Sequence, residues 1–264
     1  MFGMIRGVWD YRGFILTSIK NEFVSRFVRS KLGGLWMIIH PLAQVAIYAL
    51  ILSNVLGARL PGIENKYAYA LYLIAGILAW NLFAEIVGRC LTVFIEQGNL
   101  MKKMRFPRIA LPVIVVGSCL LNNLLLFVAV LIIFAALGHS PNILMLWLIP
   151  LTLAVVALAV GIGLVLGVLN VFLRDIGQVV PIIMQVWFWF TPIVYSINIV
   201  PDYLKDSLDI NPMFPLVKAY HNVMVYKVEP DLAQVGVTFL IALGLMLLGL
   251  FLFRRASAEM VDSL

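Results

Sequence analysis

Long uncharged stretches dominate the chain and determine the elements it is predicted to form. No Asp, Glu, Lys or Arg occurs in residues 32–58, 67–84, 109–173, 176–201 and 232–253. Because about 20 helical residues cross the hydrocarbon core of a bilayer, the third stretch holds two helices, divided by the turn formers at 138–142. The pattern therefore predicts six membrane-spanning helices, near residues 35–56, 68–88, 110–137, 143–170, 178–195 and 232–253.

The segment before the first span, residues 8–31, has the period of an amphipathic helix. One face carries the apolar side chains Leu16, Ile19, Phe23 and Phe27. The other face carries Ser18, Glu22, Ser25 and Arg29. Such a helix is expected to lie in the inner membrane interface, with an ordinary solvated leader as the alternative. Its candidate interface residues are Phe23, Arg26, Phe27 and Arg29.

Composition assigns the chain to a membrane. Apolar residues make up 63% of it and charged residues 12%, and the mean hydropathy is +1.03. Soluble domains have about 45–50% apolar and about 25% charged residues, so a soluble enzyme, a disordered chain and a disulfide scaffold are excluded. Cys90 and Cys119 lack the spacing of a metal or redox site and are interpreted as reduced structural thiols.

Lys and Arg are distributed unevenly between the predicted loops. With a cytoplasmic N-terminus, fourteen of them fall on the inner side and five on the outer side. Because cytoplasmic loops carry the excess of Lys and Arg in membrane proteins, both termini are predicted to be cytoplasmic. The net charge of +6 therefore reflects topology and does not indicate nucleic-acid binding.

Few residues suited to chemistry lie inside the predicted spans. The chain has no Gly-Lys dipeptide and hence no P-loop for ATP. Glu85 is the single acid within a predicted span, and Arg89 one turn later supplies a helical ion-pair partner. We therefore expect no catalytic residue, no cofactor and no metal ligand in this chain.

Gly163 and Gly167, four positions apart, predict close packing of two helices.

The cytoplasmic loop 96–108 is the first candidate functional element. It mixes basic with apolar side chains and is predicted to form a short amphipathic helix before Pro107. Two interpretations stay open, since the loop either anchors to lipid headgroups through its positive charge or docks a cytoplasmic partner. Its charged and aromatic candidates are Glu96, Lys102, Lys103, Arg105, Phe106 and Arg108.

Aromatic side chains concentrate in the second and fifth predicted spans. Residues 187–190 are all aromatic, so at about 100° per residue they surround the helix and cannot all line one pathway. Aromatic rings offer apolar faces to sugar C–H groups, which favours a glycan path; a membrane-interface belt is the alternative. The path candidates are Trp80, Phe83, Trp187, Phe190, Thr191 and Tyr195.

Residues 196–231 form a long, net acidic outer segment after the fifth span. Four prolines divide it, and semi-apolar pieces remain between them. The segment is predicted to form short helices that re-enter the outer leaflet, with a plain extracellular loop as the alternative.

Several stretches together resemble one known family. They are residues 23–36 followed by His40 and Pro41, residues 76–83, the loop 99–108, residues 170–175 leading to Pro181, residues 187–192, and Asn211 with Pro212. Nearly end to end, the chain resembles the permease subunits of type-2 ABC exporters, in the branch that exports polysaccharides and teichoic acids. Ala79 departs from the family pattern, in which a proline is common at this position.

The resemblance implies an all-α, six-span permease, residues 1–264, of the bacterial inner membrane that exports a lipid-linked polysaccharide, with O-antigen as the first expectation. It implies a homodimer of this chain with two copies of a separate P-loop subunit, which would bind ATP and Mg. It also implies that loop 96–108, Arg174 and Asp175 carry the coupling contacts, and that 196–231 forms an external gate.

Three alternatives stay open beside that expectation. Within the family, the cargo could instead be a capsular polysaccharide or a teichoic acid. An ion-coupled carrier would need no ATPase partner. A membrane-embedded glycan-modifying enzyme would need an essential acid or histidine, such as Glu85 or His221.

Overall fold

The computed structural model describes residues 2–28, 35–50, 68–103, 106–136, 142–197, 200–201, 208, 210–257 and 259–260. Within these residues no strand occurs, so the all-α prediction is confirmed for them. The helices are α1 Phe2–Asp10, α2 Arg12–Val28, α3 Trp36–Leu50, α4 Ala68–Glu96, α5 Gly98–Lys103, α6 Ala110–Ala136, α7 Leu148–Phe172, α8 Ile176–Phe190, α9 Met213–His221 and α10 Leu232–Ala256. A 3-10 turn, Ile143–Trp147, leads into α7, and a π-helical turn, Asn222–Tyr226, extends α9.

Four of the described helices are long and apolar enough to cross a membrane. They are α4, α6, α7 with its leading 3-10 turn, and α10. Helix α8 is apolar but has 15 residues, fewer than the about 20 of a typical crossing. Helix α3 covers the start of the predicted span 35–56, and residues 51–67 lie outside the described part of the chain. The six-span count therefore stays a prediction.

Several helix ends differ from the predicted boundaries. Helix α4 continues to Glu96, well past the predicted end at residue 88. Helix α8 ends at Phe190, before the predicted 195, because Thr191 has an extended backbone (φ −103°, ψ 128°) ahead of Pro192. The N-terminal segment forms two helices around Tyr11 instead of one helix over 8–31.

Helix α4 lies at the centre of the fold and contacts α3, α6, α7, α8 and α9. Helix α7 packs closely along it, because a Cβ added at Gly167 would collide with the carbonyl oxygen of Cys90. A Cβ added at Gly163 would lie 2.8 Å from the Cβ of Cys90. The predicted close packing at Gly163 and Gly167 is therefore confirmed, and it removes most of α4 from the surface.

Helix α9 is the described helix of the predicted outer segment 196–231. It contacts α4, α7 and α10, and it buries Met213, Leu216, Val217 and Tyr220. This portion of the segment is thus an integral part of the core, whereas its re-entry into the membrane stays a prediction.

Candidate functional site

The loop 96–108 begins with a short helix, α5, which follows α4 after Gln97. Met101 is buried, whereas Lys102 and Lys103 are exposed in the last turn, where positive charge complements the helix dipole. Glu96 is also exposed, Phe106 and Arg108 are half-buried, and Arg105 lies outside the described residues. The loop therefore presents a basic surface on an apolar base.

The two N-terminal helices contact the second half of this loop. The ring centroids of Phe14 in α2 and Phe106 lie 5.9 Å apart. A Cβ added at Gly7 in α1 would lie 3.2 Å from the Cβ of Pro107, so the helix backbone rests directly on that proline. The loop is therefore in direct contact with α1 at Pro107 and with α2 at Phe106.

Arg174 and Asp175 form the exposed turn between α7 and α8. The carbonyl of Asp175 accepts hydrogen bonds from the amides of Gln178 and Val179, each at 3.0 Å, so this turn starts α8. Just before it, the side-chain amide of Asn170 donates to the carbonyl of Leu91 at 2.8 Å. That bond joins the turn to the end of α4 that carries α5.

A charged cluster that the sequence pattern missed joins α2 to α4 and α6. Arg89 Nη2 lies 2.8 Å from each carboxylate oxygen of Glu22, and Ser118 Oγ donates to the same carboxylate at 2.8 Å. Arg89 is 4.0 Å from Glu85, whose carboxylate accepts a 2.8 Å hydrogen bond from Asn122. The predicted Glu85–Arg89 pair is therefore the weaker of the two ion pairs.

The orientation of α2 follows from this cluster, while its predicted apolar face towards the membrane stays a prediction. Ile15 is buried, whereas Leu16, assigned to the apolar face, is 65% exposed. Glu22, assigned to the polar face, instead meets Arg89, because a charge within a membrane-spanning helix needs a partner. Among the predicted interface residues, Phe23 is half-buried, Arg26 and Phe27 belong to α2, and Arg29 lies outside the described residues.

Four aromatic rings meet where α4 packs against α8. Ring centroids lie 5.1 Å apart for Phe83 and Trp187, 5.5 Å for Trp80 and Phe83, and 5.6 Å for Trp80 and Phe188. Phe83 is fully buried and Trp80 nearly so. The structure thus brings three of the path candidates together within one chain, while Phe190 is 44% exposed at the end of α8.

Asn211 links the end of α8 to the start of α9. Its Oδ1 accepts from Trp187 Nε1 at 2.8 Å and from the amide of Met213 at 3.0 Å. Its Nδ2 donates to Thr191 Oγ1 at 2.9 Å. Two path candidates, Trp187 and Thr191, therefore belong to a buried hydrogen-bond network, and the Asn-Pro pair was the sequence signal for it.

Tyrosines of α4 hold the segment that follows α8. Tyr69 donates to the carbonyl of Val194 at 2.5 Å, and Tyr72 donates to the carbonyl of Tyr195 at 3.1 Å. The ring of Tyr72 stacks on His221 of α9, with centroids 3.6 Å apart. Complete burial lowers the pKa of His221 to about 3, so this imidazole is neutral at physiological pH.

Comparison with known proteins identifies the family. The model of the ABC-2 type transporter family matches residues 14–225. The chain is 26% identical over 270 residues to the O-antigen export system permease protein RfbA of Myxococcus xanthus, with both chains covered completely. It is 26% identical over 255 residues to a protein of the same name from Klebsiella pneumoniae, covering 95% of each chain.

A third relative carries a different name. The polysialic acid transport protein KpsM of Escherichia coli is 22% identical over 248 residues, covering 92% of this chain and 93% of the relative. The family match spans most of the sequence and confirms the resemblance to type-2 ABC exporter permeases. The chain belongs to the ABC-2 type transporter family.

Proposed function

We propose that this chain is the membrane-spanning subunit of an ATP-driven exporter that moves a lipid-linked polysaccharide, with O-antigen as the first candidate, across the bacterial inner membrane. The observation that carries the proposal is similarity along the entire chain to permeases named for O-antigen export. The four apolar helices of membrane-spanning length among the described residues support it.

The energy source is expected to be a separate subunit. Because the chain has no P-loop, two copies of a P-loop ATPase would bind ATP and Mg and work on a homodimer of this chain. In this proposal the permease itself is not an enzyme, and both of its termini lie in the cytoplasm.

The exposed basic end of α5 supports a docking surface for that ATPase. Lys102 and Lys103 face away from the helices, and the exposed Arg174–Asp175 turn is joined through Asn170 to the same end of α4. We assign the coupling contacts to Glu96, Lys102, Lys103, Arg105, Phe106, Arg108, Arg174 and Asp175.

The exposed side of α8 supports a cargo path between two permease copies. Ile182, Val186 and Phe190 all lie on the surface of the single chain, where they are available to a second copy or to cargo. Behind them, the ring cluster of Trp80, Phe83 and Trp187 holds α8 on α4. In this proposal Tyr195 borders the outer end of the path, and Thr191, which is fully buried, supports that end through its bond to Asn211.

Gentle affinity purification of the chain from native membranes tests the proposal. We expect a P-loop ATPase to copurify in equal amount with a permease dimer. Reproducible recovery of an intact dimer without any ATPase would contradict the proposal and favour an ion-coupled carrier.

The similarity to KpsM supports capsular polysaccharide as the second candidate cargo. Deletion of the gene, followed by analysis of surface glycans, separates the two. Loss of O-antigen with capsule retained supports the first candidate, and the reverse supports the second.

A further inference from the structure

The charged cluster between α2, α4 and α6 occupies a position from which it can transmit movement. We name Glu22, Arg89 and Ser118 the latch. Each comes from a different helix, and the Glu22 carboxylate receives hydrogen bonds from both of the others at 2.8 Å. The side chains of Arg89 and Glu22 are 27% and 28% exposed, so the pair is partly shielded from solvent, and Arg89 Nη2 contacts both carboxylate oxygens.

Cavities lie on both sides of the latch. One, of about 340 Å³, lies between α3, α4 and α6 and is lined by His40, Asn81 and Glu85. The other, of about 480 Å³, lies between α2, α4 and α6 and reaches from Arg89 to Glu96. The second of these cavities lies directly against the latch, because Glu22 and Arg89 line it.

Apolar packing beside the latch is close. Ile19 of α2 lies in the notch left by Gly117 of α6, where an added Cβ would collide with it. This contact and the ion pair, which has a third hydrogen bond from Ser118, act on the same part of α2. The latch is thus the polar contact that aligns α2 on both α4 and α6.

We propose that the latch makes α2 move as one body with α4 and α6, so that displacement of the coupling loop reaches the first span. The loop joins α4 to α6 and touches α2 through Phe106 and Phe14. Helix α2 precedes α3 in the chain. Glu22, Arg89 and Ser118 are therefore positioning residues for export, and this inference rests on the proposed function.

A double-mutant cycle in the complete permease–ATPase complex tests the latch. The variants are Glu22→Gln, Arg89→Gln and the two combined, reconstituted in lipid vesicles. The readout is glycan exported per ATP hydrolysed, which a purely structural role would not change. We expect each single variant to lower this ratio about tenfold, as loss of a charge-assisted hydrogen bond does, with the ATPase still bound. The double variant should be no worse than either single one.

Arg6→Gln is the matched control. Arg6 forms an exposed pair with Asp10 at 3.9 Å in the neighbouring helix α1, so its loss should leave the ratio unchanged. Unchanged ratios in Glu22→Gln and Arg89→Gln, or losses that multiply in the double variant, would overturn the latch.

Ser118→Ala decides the matter if the charge variants fail to assemble. It removes one hydrogen bond to Glu22 and leaves the ion pair in place. A lower ratio in the assembled Ser118→Ala complex supports the latch, and a wild-type ratio overturns it. Absence of an ATPase from the wild-type preparation contradicts the proposed function instead, and it is seen before any variant is compared.

Discussion

Asn211 determines where two helices end and begin, through a single buried amide. Its hydrogen-bond partners are Trp187, Thr191 and the amide of Met213. It therefore connects the ring cluster between α4 and α8 to the start of α9. A buried polar group that loses its partner costs about 1–3 kcal/mol. Trp187 therefore stabilises the protein in two ways, by ring packing against Phe83 and by its bond to Asn211.

Two substitutions separate these contributions of Trp187. Trp187→Phe keeps a ring against Phe83 and should lower the free energy of unfolding by about 1 kcal/mol. Trp187→Ala removes the ring and should lower it by about 3–5 kcal/mol while slowing export. Thermal unfolding of the purified complex and surface-glycan assays measure both effects. Slow export by an assembled Trp187→Ala complex supports the path assignment, and loss of assembly makes Trp187 a packing residue only.

His221 predicts a pH dependence of stability. The unfolded chain binds a proton near the ordinary histidine pKa of 6.5, whereas the folded chain stays neutral down to about 3. The contribution of this site is therefore complete above about pH 6.5 and declines as the pH falls towards 3. Unfolding midpoints in detergent should fall on acidification, and His221→Gln should flatten that slope.

An equally steep slope in His221→Gln would show that other groups cause the acid sensitivity.

At the scale of helices, the local sequence pattern predicted the apolar helices. It missed the side-chain contacts between residues far apart in the sequence. The apolar runs identified α4, α6, α7 and α10 because burial and lipid exposure both select apolar residues. The long-range pair between Glu22 and Arg89 was missed, since 67 positions separate them and no periodicity connects them. With its charge paired to Glu22, Arg89 fits within α4, which explains why that helix continues past the predicted end.

Gly167 tests how closely α4 and α7 must approach. Gly167→Ala would set a Cβ against the carbonyl of Cys90, so the helices must separate and the unfolding midpoint should fall by several degrees. Gly244→Ala in α10 is the control, because nothing lies within 4 Å of an added Cβ there. It should be neutral or stabilising by up to about 1 kcal/mol, from helix propensity. An unchanged midpoint in Gly167→Ala would contradict the close packing.

The coupling loop predicts a separation of ATP hydrolysis from export. Replacing Arg105 and Phe106 together by alanine removes a positive charge and the ring that touches Phe14. We expect the complex to hydrolyse ATP with export reduced about tenfold or more, measured in vesicles. Lys227→Ala, an exposed substitution beyond α9, is the control. Unchanged export would favour the lipid-headgroup interpretation of this loop.

For the whole molecule, the six-span prediction requires α8 and the segment after it to complete a crossing. Its 15 residues extend about 22 Å at 1.5 Å per residue, less than the about 30 Å of hydrocarbon. The tyrosine bonds to Val194 and Tyr195 continue the chain along the end of α4, which would supply the missing length. Arg254 and Arg255, in the last turn of α10, lie in the cytoplasm if α8 crosses, as basic residues at the end of a span usually do.

Single cysteines labelled with a membrane-impermeant maleimide decide whether α8 crosses, in a background with Cys90 and Cys119 replaced. Arg174→Cys precedes α8, Lys227→Cys follows it, and Arg254→Cys lies near the end of α10; all three positions are exposed. We expect Lys227→Cys to react in intact spheroplasts and the other two only after permeabilisation. If α8 does not cross, Arg174→Cys and Lys227→Cys will react from the same side and Arg254→Cys from the other. That outcome would place the basic tail and the basic loop 96–108 on opposite sides of the membrane. It would contradict a cytoplasmic location for both termini.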